Sequence, residues 1–329
     1  MQNFEFSAST ARPALPPGGS FIAGGTDLLQ LMKSNVAAPT HVVDLAGQNL
    51  RGIHATATEL RLGALDTMAQ VAAHPDVQRG WPAISQALLL SASPQVRNMG
   101  TMGGNLLQRT RCLYFRDVAF ACNKRNPGSG CPALSGENRE LAILGGSDHC
   151  IATHPSDFPV ALMALGALIA VTGADGQART IPLAEFYRLP GDTPEVETVL
   201  KPGDVIHEII VPASAAARAS GYVKVRDRTS FAFALVSAAV SIEQRDGKIH
   251  AATIALGGVA PLLWRAGKAE QSLIGATVGD TAFETAATLA TEGAKSAGMN
   301  EYKIVLAQRA VKRALTQVTN LEPATKGVL

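Results

Sequence analysis

The chain has 329 residues, 47% of them apolar, and a net charge of +2. It is too long for one hydrophobic core, so two or three domains are expected, and a near-neutral chain without blocks of like charge excludes a nucleic-acid or membrane-surface footprint. Charged residues make up 17%, against about a quarter in most soluble domains, so part of the surface is expected to lie against other chains.

The opening residues, MQNFEFSAST, have no basic region followed by an apolar stretch, so no secretory signal is expected here. Pro13, Pro16, Pro17, Gly18 and Gly19 make a turn-rich lead-in. A short strand, Phe21-Ile22-Ala23, then meets Gly24-Gly25-Thr26-Asp27 and a helical run, Leu28–Lys33. His41–Leu45 reads as a second strand between Pro39 and Gly47.

A second unit begins near Glu59, with a strand at Leu60–Gly63. Asp66 and Thr67 are placed to cap a helix that runs through Ala73 and is ended by Pro75; Pro82–Leu90 is a further helix. Residues 91–156 show little periodicity, and a stretch that long without regular structure is usually functional or disordered; this one holds all four cysteines and reads as functional. The longest apolar run, near Val160–Val171, is broken by Gly166 and is too short to span a membrane, so it is a buried helix or strand.

Ala174–Gln177 is a turn between strands, Val205–Pro212 a strand, and Ala213–Ser220 an alanine-rich linker. Strands follow at Tyr222–Val225, Ala234–Glu243 and Lys248–Leu256, the last two joined at Asp246-Gly247. Helices at 266–276, 281–297 and 301–318 complete a small α+β domain.

Two glycine-rich turns carry the first chemical hint. Gly24-Gly25-Thr26-Asp27 precedes a helix, where free N–H groups and a positive dipole end suit a phosphate; the alternative is a plain tight turn. Thr101-Met102-Gly103-Gly104-Asn105 is a second such loop, and two of them suit a long diphosphate ligand better than either alone. Gly128–Ala133 fits G-x-G-x-x-A in form only, because Asn126-Pro127 precedes it instead of a strand.

Cys112, Cys122, Cys131 and Cys150 are spaced C-x9-C-x8-C-x18-C. Four thiolates suit zinc or an iron–sulfur cluster, but the short knuckles of structural zinc sites are missing. Two disulfides or four free buried thiols stay open. Arg109, Arg111, Lys124 and Arg125 are near enough in sequence to offset thiolate charge. His149, His154 and Asp157 invite a catalytic role, yet no nucleophile elbow, H-E-x-x-H or telling carboxylate pair accompanies them, and Asp157 equally suits a cap for a helix at Phe158. Lys224, Arg226 and Arg228 alternate on a strand and read as a solvated face.

Together these segments resemble the FAD-binding subunits of the xanthine dehydrogenase and carbon monoxide dehydrogenase family. Phe21–Leu28 looks like the first FAD loop, Thr101–Asn105 like the second, and Pro155-Ser156-Asp157 like the segment that reaches the flavin nucleotide. The cysteine-bearing insertion is similar to that of bacterial periplasmic aldehyde oxidoreductase flavoprotein subunits.

The resemblance implies an α+β fold. Residues 1–215 would form a two-part FAD-binding domain of the PCMH, vanillyl-alcohol oxidase-like type, with subdomains at about 1–55 and 56–215 and the insertion at about 106–152. Residues 218–322 would form a small carbon monoxide dehydrogenase flavoprotein-like C-terminal domain.

It also implies that Phe21, Ile22, Ala23, Gly24, Gly25, Thr26, Asp27, Leu28, Thr101, Gly104, Asn105, Asp157, Ile206 and Lys224 contact FAD. Cys112, Cys122, Cys131 and Cys150 would hold a [4Fe-4S] cluster. The implied partners are a large molybdenum-cofactor subunit and a small subunit with two [2Fe-2S] clusters, with electrons leaving to an external acceptor and aldehydes as the substrate class. The implied location is the periplasm, reached by co-export with a signal-bearing partner, with the cytoplasm as the alternative. The competing function is a self-contained FAD oxidase with a structural metal.

Overall fold

In the computed structural model, which describes residues 1–9 and 14–319, three sheets divide the chain. The first unit contains β1 (Glu5–Ala8), β2 (Gly19–Ile22), α1 (Leu28–Lys33) and β3 (His41–Asp44). Its strands lie in the order β1-β3-β2 and are all parallel. Parallel neighbours need a crossover, and α1 supplies it between β2 and β3. Pro13 and the expected domain end at 322 lie outside the described residues.

The second unit opens with β4 (Ile53–Ala55), β5 (Glu59–Gly63), α2 (Met68–Ala73), α3 (Pro75–Gly80), α4 (Pro82–Leu89), α5 (Pro94–Met99), α6 (Met102–Leu106) and α7 (Leu113–Arg116). After the cysteine segment come α8 (Phe158–Ala164), β6 (Leu168–Thr172), β7 (Ala178–Pro182), α9 (Leu183–Phe186) and β8 (Val205–Pro212). The sheet order is β4-β5-β8-β6-β7, antiparallel throughout. Thr67 starts α2 with a capping box: its hydroxyl accepts from the Gln70 N–H, and the Gln70 side chain accepts from the Thr67 N–H. Pro75 ends that helix and opens the next, where its missing N–H costs nothing.

The third unit holds α10 (Ala215–Arg218), β9 (Ser220–Val225), β10 (Val236–Arg245), β11 (Lys248–Gly257), β12 (Trp264–Arg265), α11 (Gly267–Leu273), α12 (Asp280–Leu289) and α13 (Tyr302–Thr319). Its sheet order is β12-β11-β10-β9. On α13, Ala307, Ala310, Val311, Ala314, Leu315 and Val318 recur at helical spacing and are buried, so one stripe of the helix faces the sheet. Full burial of Val311 and Leu315 stabilises the unit by about 1.5–3 kcal/mol each.

Several expectations need correction. Residues 91–156 are not wholly irregular: α5 and α6 are short helices capped by Ser93 and Thr101. The Ala213–Ser220 linker contains α10. Helix α12 ends at Leu289, not 297, because the chain turns away so that Lys295 N–H can bond the Ile143 carbonyl at 2.7 Å.

The cysteine insertion has its own small core. Cys112, Phe115, Cys122, Leu141, Cys150 and Ile151 pack together with Leu31 of α1. The C-terminal unit clasps this insertion. Asn138 Nδ2 donates to the Ala297 carbonyl at 2.8 Å, and Asn300 Nδ2 to the Ala142 carbonyl at 3.0 Å. The fully buried Lys303 donates from Nζ to the carbonyls of Glu140 at 2.9 Å and Leu141 at 3.0 Å.

Candidate functional site

A cleft of about 960 Å³ opens where the three units meet. The first glycine loop, the second, the Pro155-Ser156-Asp157 segment, Ile206 and Lys224 all contribute to it. All fourteen residues expected to contact FAD line it: Phe21, Ile22, Ala23, Gly24, Gly25, Thr26, Asp27, Leu28, Thr101, Gly104, Asn105, Asp157, Ile206 and Lys224. Its size lies at the upper end of the roughly 300–1,000 Å³ typical of cofactor pockets.

The glycines bring the loops together. A Cβ on Gly24 would stand 1.9 Å from the Met99 carbonyl oxygen, so loop one rests directly on the backbone that leads into loop two. Gly25 has φ +67°, a left-handed conformation that glycine adopts without strain. In loop two the Thr101 hydroxyl accepts from the Gly104 N–H at 3.3 Å. The Asn105 side chain accepts from the Ser156 hydroxyl, tying loop two to the Asp157 segment.

Asp27 is held from the base of the insertion. Its carboxylate accepts from the Arg109 N–H at 2.7 Å and pairs with Arg116 at 2.8 Å and Arg111 at 3.0 Å. Asp157 does not cap α8 with its side chain. It accepts from Lys224 at 2.7 Å, Tyr222 at 2.5 Å and Ser91 at 2.8 Å. Lys224 is therefore buried and Arg226 bonds the Leu90 carbonyl, which corrects the solvated face expected for these two; β9 ends at Val225, and Arg228 beyond it is exposed as expected. Sequence reasoning missed Ser91 and Tyr222. Tyr222 lies two residues before Lys224 on one strand face, so the period of two pointed to it; no local pattern marked Ser91.

The four cysteines are free thiols, which removes the disulfide alternative, and all four line one small cavity with Lys124. Burial pushes the Cys112 thiol up to about 11 and also raises Cys131 and Cys150, while the nearby Lys124 charge pulls Cys150 back down. Of the four expected basic neighbours, only Lys124 lines this cavity. Arg109 faces Glu197, Arg111 faces Asp27, and Arg125 donates to the Tyr114 and Phe115 carbonyls. Among the described residues, no three His, Cys, Asp or Glu side chains are gathered as ligands of a single metal ion. Tetrahedral zinc draws its sulfurs to within about 3.8 Å of one another. The cavity that the four thiols share has a volume of about 10 Å³.

His154 is buried and neutral. Burial, with the Lys124 charge behind it, lowers its pKa to about 3, and its ring packs edge-on to Tyr187 at 4.8 Å. His149 is half-exposed, 3.4 Å from Asp192. Neither lines the cleft, and no histidine does among the described residues.

Residues 8–214 match the family model described as the FAD binding domain in molybdopterin dehydrogenase, and residues 220–318 match the carbon monoxide dehydrogenase flavoprotein C-terminal domain. The chain belongs to the FAD-binding subunits of the molybdenum hydroxylases. It is 46% identical to the aldehyde oxidoreductase FAD-binding subunit PaoB of Escherichia coli K12, covering 92% of each chain. It is 28% identical to the carbon monoxide dehydrogenase medium chain of Afipia carboxidovorans, over 91% of this chain and 90% of that one. Among solved structures, carbon monoxide dehydrogenase from Hydrogenophaga pseudoflava superposes with a TM-score of 0.74 at 28% identity, covering 97% and 98% of the two chains. Like other molybdenum hydroxylase FAD subunits, this chain is an oxidoreductase subunit with an α+β fold. No helix among the described residues is long and apolar enough to cross a membrane.

Proposed function

We propose that this chain is the electron-transfer subunit of a molybdenum-dependent aldehyde oxidoreductase, holding FAD in the cleft and a [4Fe-4S] cluster on Cys112, Cys122, Cys131 and Cys150. Electrons would arrive from the [2Fe-2S] clusters of a small partner, after substrate oxidation on a large molybdenum subunit, and leave to an external acceptor. The aldehyde class follows the similarity to the Escherichia coli aldehyde oxidoreductase subunit. The location that accompanies it is the periplasm, reached as a passenger on a signal-bearing partner; the cytoplasm is the alternative.

The observation that carries this function is the state of the carboxylates in the cleft. Asp27, Asp157, Asp204 and Asp227 line it and are each held by a Lys or Arg, while Glu140 is exposed to solvent, 4.0 Å from the Arg139 that binds Asp227. A self-contained oxidase needs a base free to take a proton from substrate. Carboxylates committed to cations suit a site that positions a flavin and leaves substrate chemistry to another subunit. FAD supplies a junction that exchanges one or two electrons; the protein binds it, orients it and limits water around it. The loop-one and loop-two backbones would take the pyrophosphate, and Lys224 would contact FAD from the C-terminal unit.

The cysteine cavity fits the second cofactor by donor chemistry: four free thiols with Lys124 beside them. Anaerobic purification followed by iron, acid-labile sulfide and flavin analysis tests both sites at once. One FAD and about four irons per chain are expected. Flavin with near-zero iron in fresh protein would leave the FAD assignment standing and remove the cluster.

A further inference from the structure

Residues 187–199, between α9 and β8, lie against the cysteine insertion. The Gly191 carbonyl accepts from the Ser147 hydroxyl at 2.8 Å, and the Pro194 carbonyl accepts from Lys124 Nζ at 2.6 Å. Backbone bonds fix the returning half of this segment. Arg188 N–H donates to the Glu197 carbonyl at 3.0 Å, and Val199 N–H to the Phe186 carbonyl at 3.0 Å. Glu197 is held by this ladder, and it lines neither the cysteine cavity nor the cleft.

Its carboxylate nevertheless holds one cation from each. One oxygen lies 3.0 Å from Lys124 Nζ, and the other meets Arg109 Nε. Lys124 lines the cysteine cavity with a side chain only 6% exposed. Arg109 lines the cleft, and its backbone N–H donates to Asp27 of the first glycine loop at 2.7 Å. Its guanidinium lies 4.8 Å from the centre of the Phe115 ring, which packs among the cysteines. Among the described residues, Glu197 is the one carboxylate paired with either cation. Reduction adds negative charge to a cofactor, so a neighbouring cation favours it and a neighbouring carboxylate opposes it, most strongly where little water screens them.

We propose that Glu197 is a positioning residue shared by the two redox sites: it pins Lys124 at the cysteine cavity and Arg109 at the cleft, and its charge holds down the reduction potentials of the groups bound in both. The inference rests on an iron–sulfur cluster at the cysteines and FAD in the cleft. Glu197 acts through the two cations, since it lines neither site. With its charge removed, Lys124 stays bonded to the Pro194 carbonyl and its ammonium is no longer offset. Loss of the Glu197 charge therefore raises the potential at the cysteines, the opposite of what loss of the Lys124 charge does.

The test uses the purified holoprotein with its Glu197→Gln, Glu197→Asp and Lys124→Met variants and the Lys124→Met/Glu197→Gln double variant. Spectra recorded at controlled potential read the cluster and the flavin separately. Glu197→Gln keeps the shape and an acceptor for Lys124. It is expected to shift the cluster's reduced-to-oxidised ratio about tenfold toward reduced at a fixed potential, or about 59 mV for one electron. The flavin potential is expected to rise by less, because the Arg109 side chain is 34% exposed and water screens its charge. The double variant should return the cluster close to the parent, since one charge of each sign is gone; damage to packing would instead accumulate. Glu197→Asp, which alters packing and keeps the charge, should leave both potentials near the parent. An unmoved or lowered cluster potential in Glu197→Gln, or a double variant no closer to the parent than Glu197→Gln alone, would overturn the proposal. A parent without iron would overturn the cluster assignment, and the flavin potential then decides the role of Glu197. A parent without flavin would overturn the FAD assignment, and the cluster potential decides it.

Discussion

The Lys224 ammonium lies 2.7 Å from the Asp157 carboxylate, and both groups are almost completely buried. Lys224 comes from the first strand of the C-terminal unit and Asp157 from the segment entering α8, so this one ion pair joins two units across the floor of the cleft. Tyr222 and Ser91 complete the carboxylate's partners.

Removing one member of such a pair strands the other charge in a dry site. Lys224→Met and Asp157→Asn are each expected to cost about 3–5 kcal/mol, and the double variant less than the sum, because no charge is then left unpaired. Denaturant unfolding of the three variants measures this. Fully additive losses would mean that the two groups do not act as a pair. Flavin content should fall in both single variants, since the cleft floor loses its tie.

The glycines of the first loop give a second prediction. Gly24→Ala places a Cβ against the Met99 carbonyl oxygen, and neither backbone can yield without separating the two loops. Gly25→Val forces a β-branched residue into a left-handed conformation, at about 1–3 kcal/mol. Both variants are expected to purify with at least about tenfold weaker FAD affinity, the equivalent of 1.4 kcal/mol. Gly80→Ala, where a Cβ would meet nothing within 4 Å, is the control. Normal flavin affinity in Gly24→Ala would refute loop-on-loop packing as the reason for the glycine.

A third prediction concerns acid. Burial holds the folded pKa of His154 at about 3, below the ordinary value of 6.5. The unfolded chain therefore binds a proton that the folded chain refuses. The neutral histidine's contribution is fully present above about pH 6.5 and is lost as pH falls from there toward 3, with a slope of at most about 1.4 kcal/mol per pH unit. Replacing His154 with Phe should flatten stability against pH over that window, even if the variant is less stable at pH 7. An unchanged slope would assign the acid sensitivity to other groups.

The parts of this site that local sequence revealed are those that local physics builds. Phe21–Leu28 announces itself because strand, glycine turn and helix follow one another within eight residues. The cysteines stood out by their confinement to one segment. Helices α5 and α6 are harder to read, because six and five residues give no readable period and two of the five residues of the second glycine loop are glycines. The pairs Lys224 with Asp157 and Arg139 with Asp227 join positions far apart in the chain. Lys224 looked like a solvated strand residue because nothing within ten positions of it carries the compensating carboxylate that allows its burial.

The last prediction separates a cluster on the four cysteines from every other state of those thiols. If Cys112, Cys122, Cys131 and Cys150 act as one ligand set, each single change to Ser removes one thiolate from the same group. All four variants should then lose iron and acid-labile sulfide to a similar degree. Independent buried thiols would behave differently: each conservative core swap would cost about 1 kcal/mol and leave metal content unchanged. FAD should be largely retained in the Cys112, Cys122 and Cys131 variants, because none of these residues lines the cleft. The Cys150 variant is expected to lose some flavin as well, since Cys150 stands seven positions before Asp157 and its sulfur accepts from the Ala152 N–H of the segment that leads there. Lys124→Met supplies a further arm. It removes the lysine charge that lines the cysteine cavity beside His149 without removing a cysteine, so iron should stay while the cluster's reduction potential falls. A parent protein that binds iron, with four cysteine variants that lose it unequally and in pairs, would contradict a single cluster.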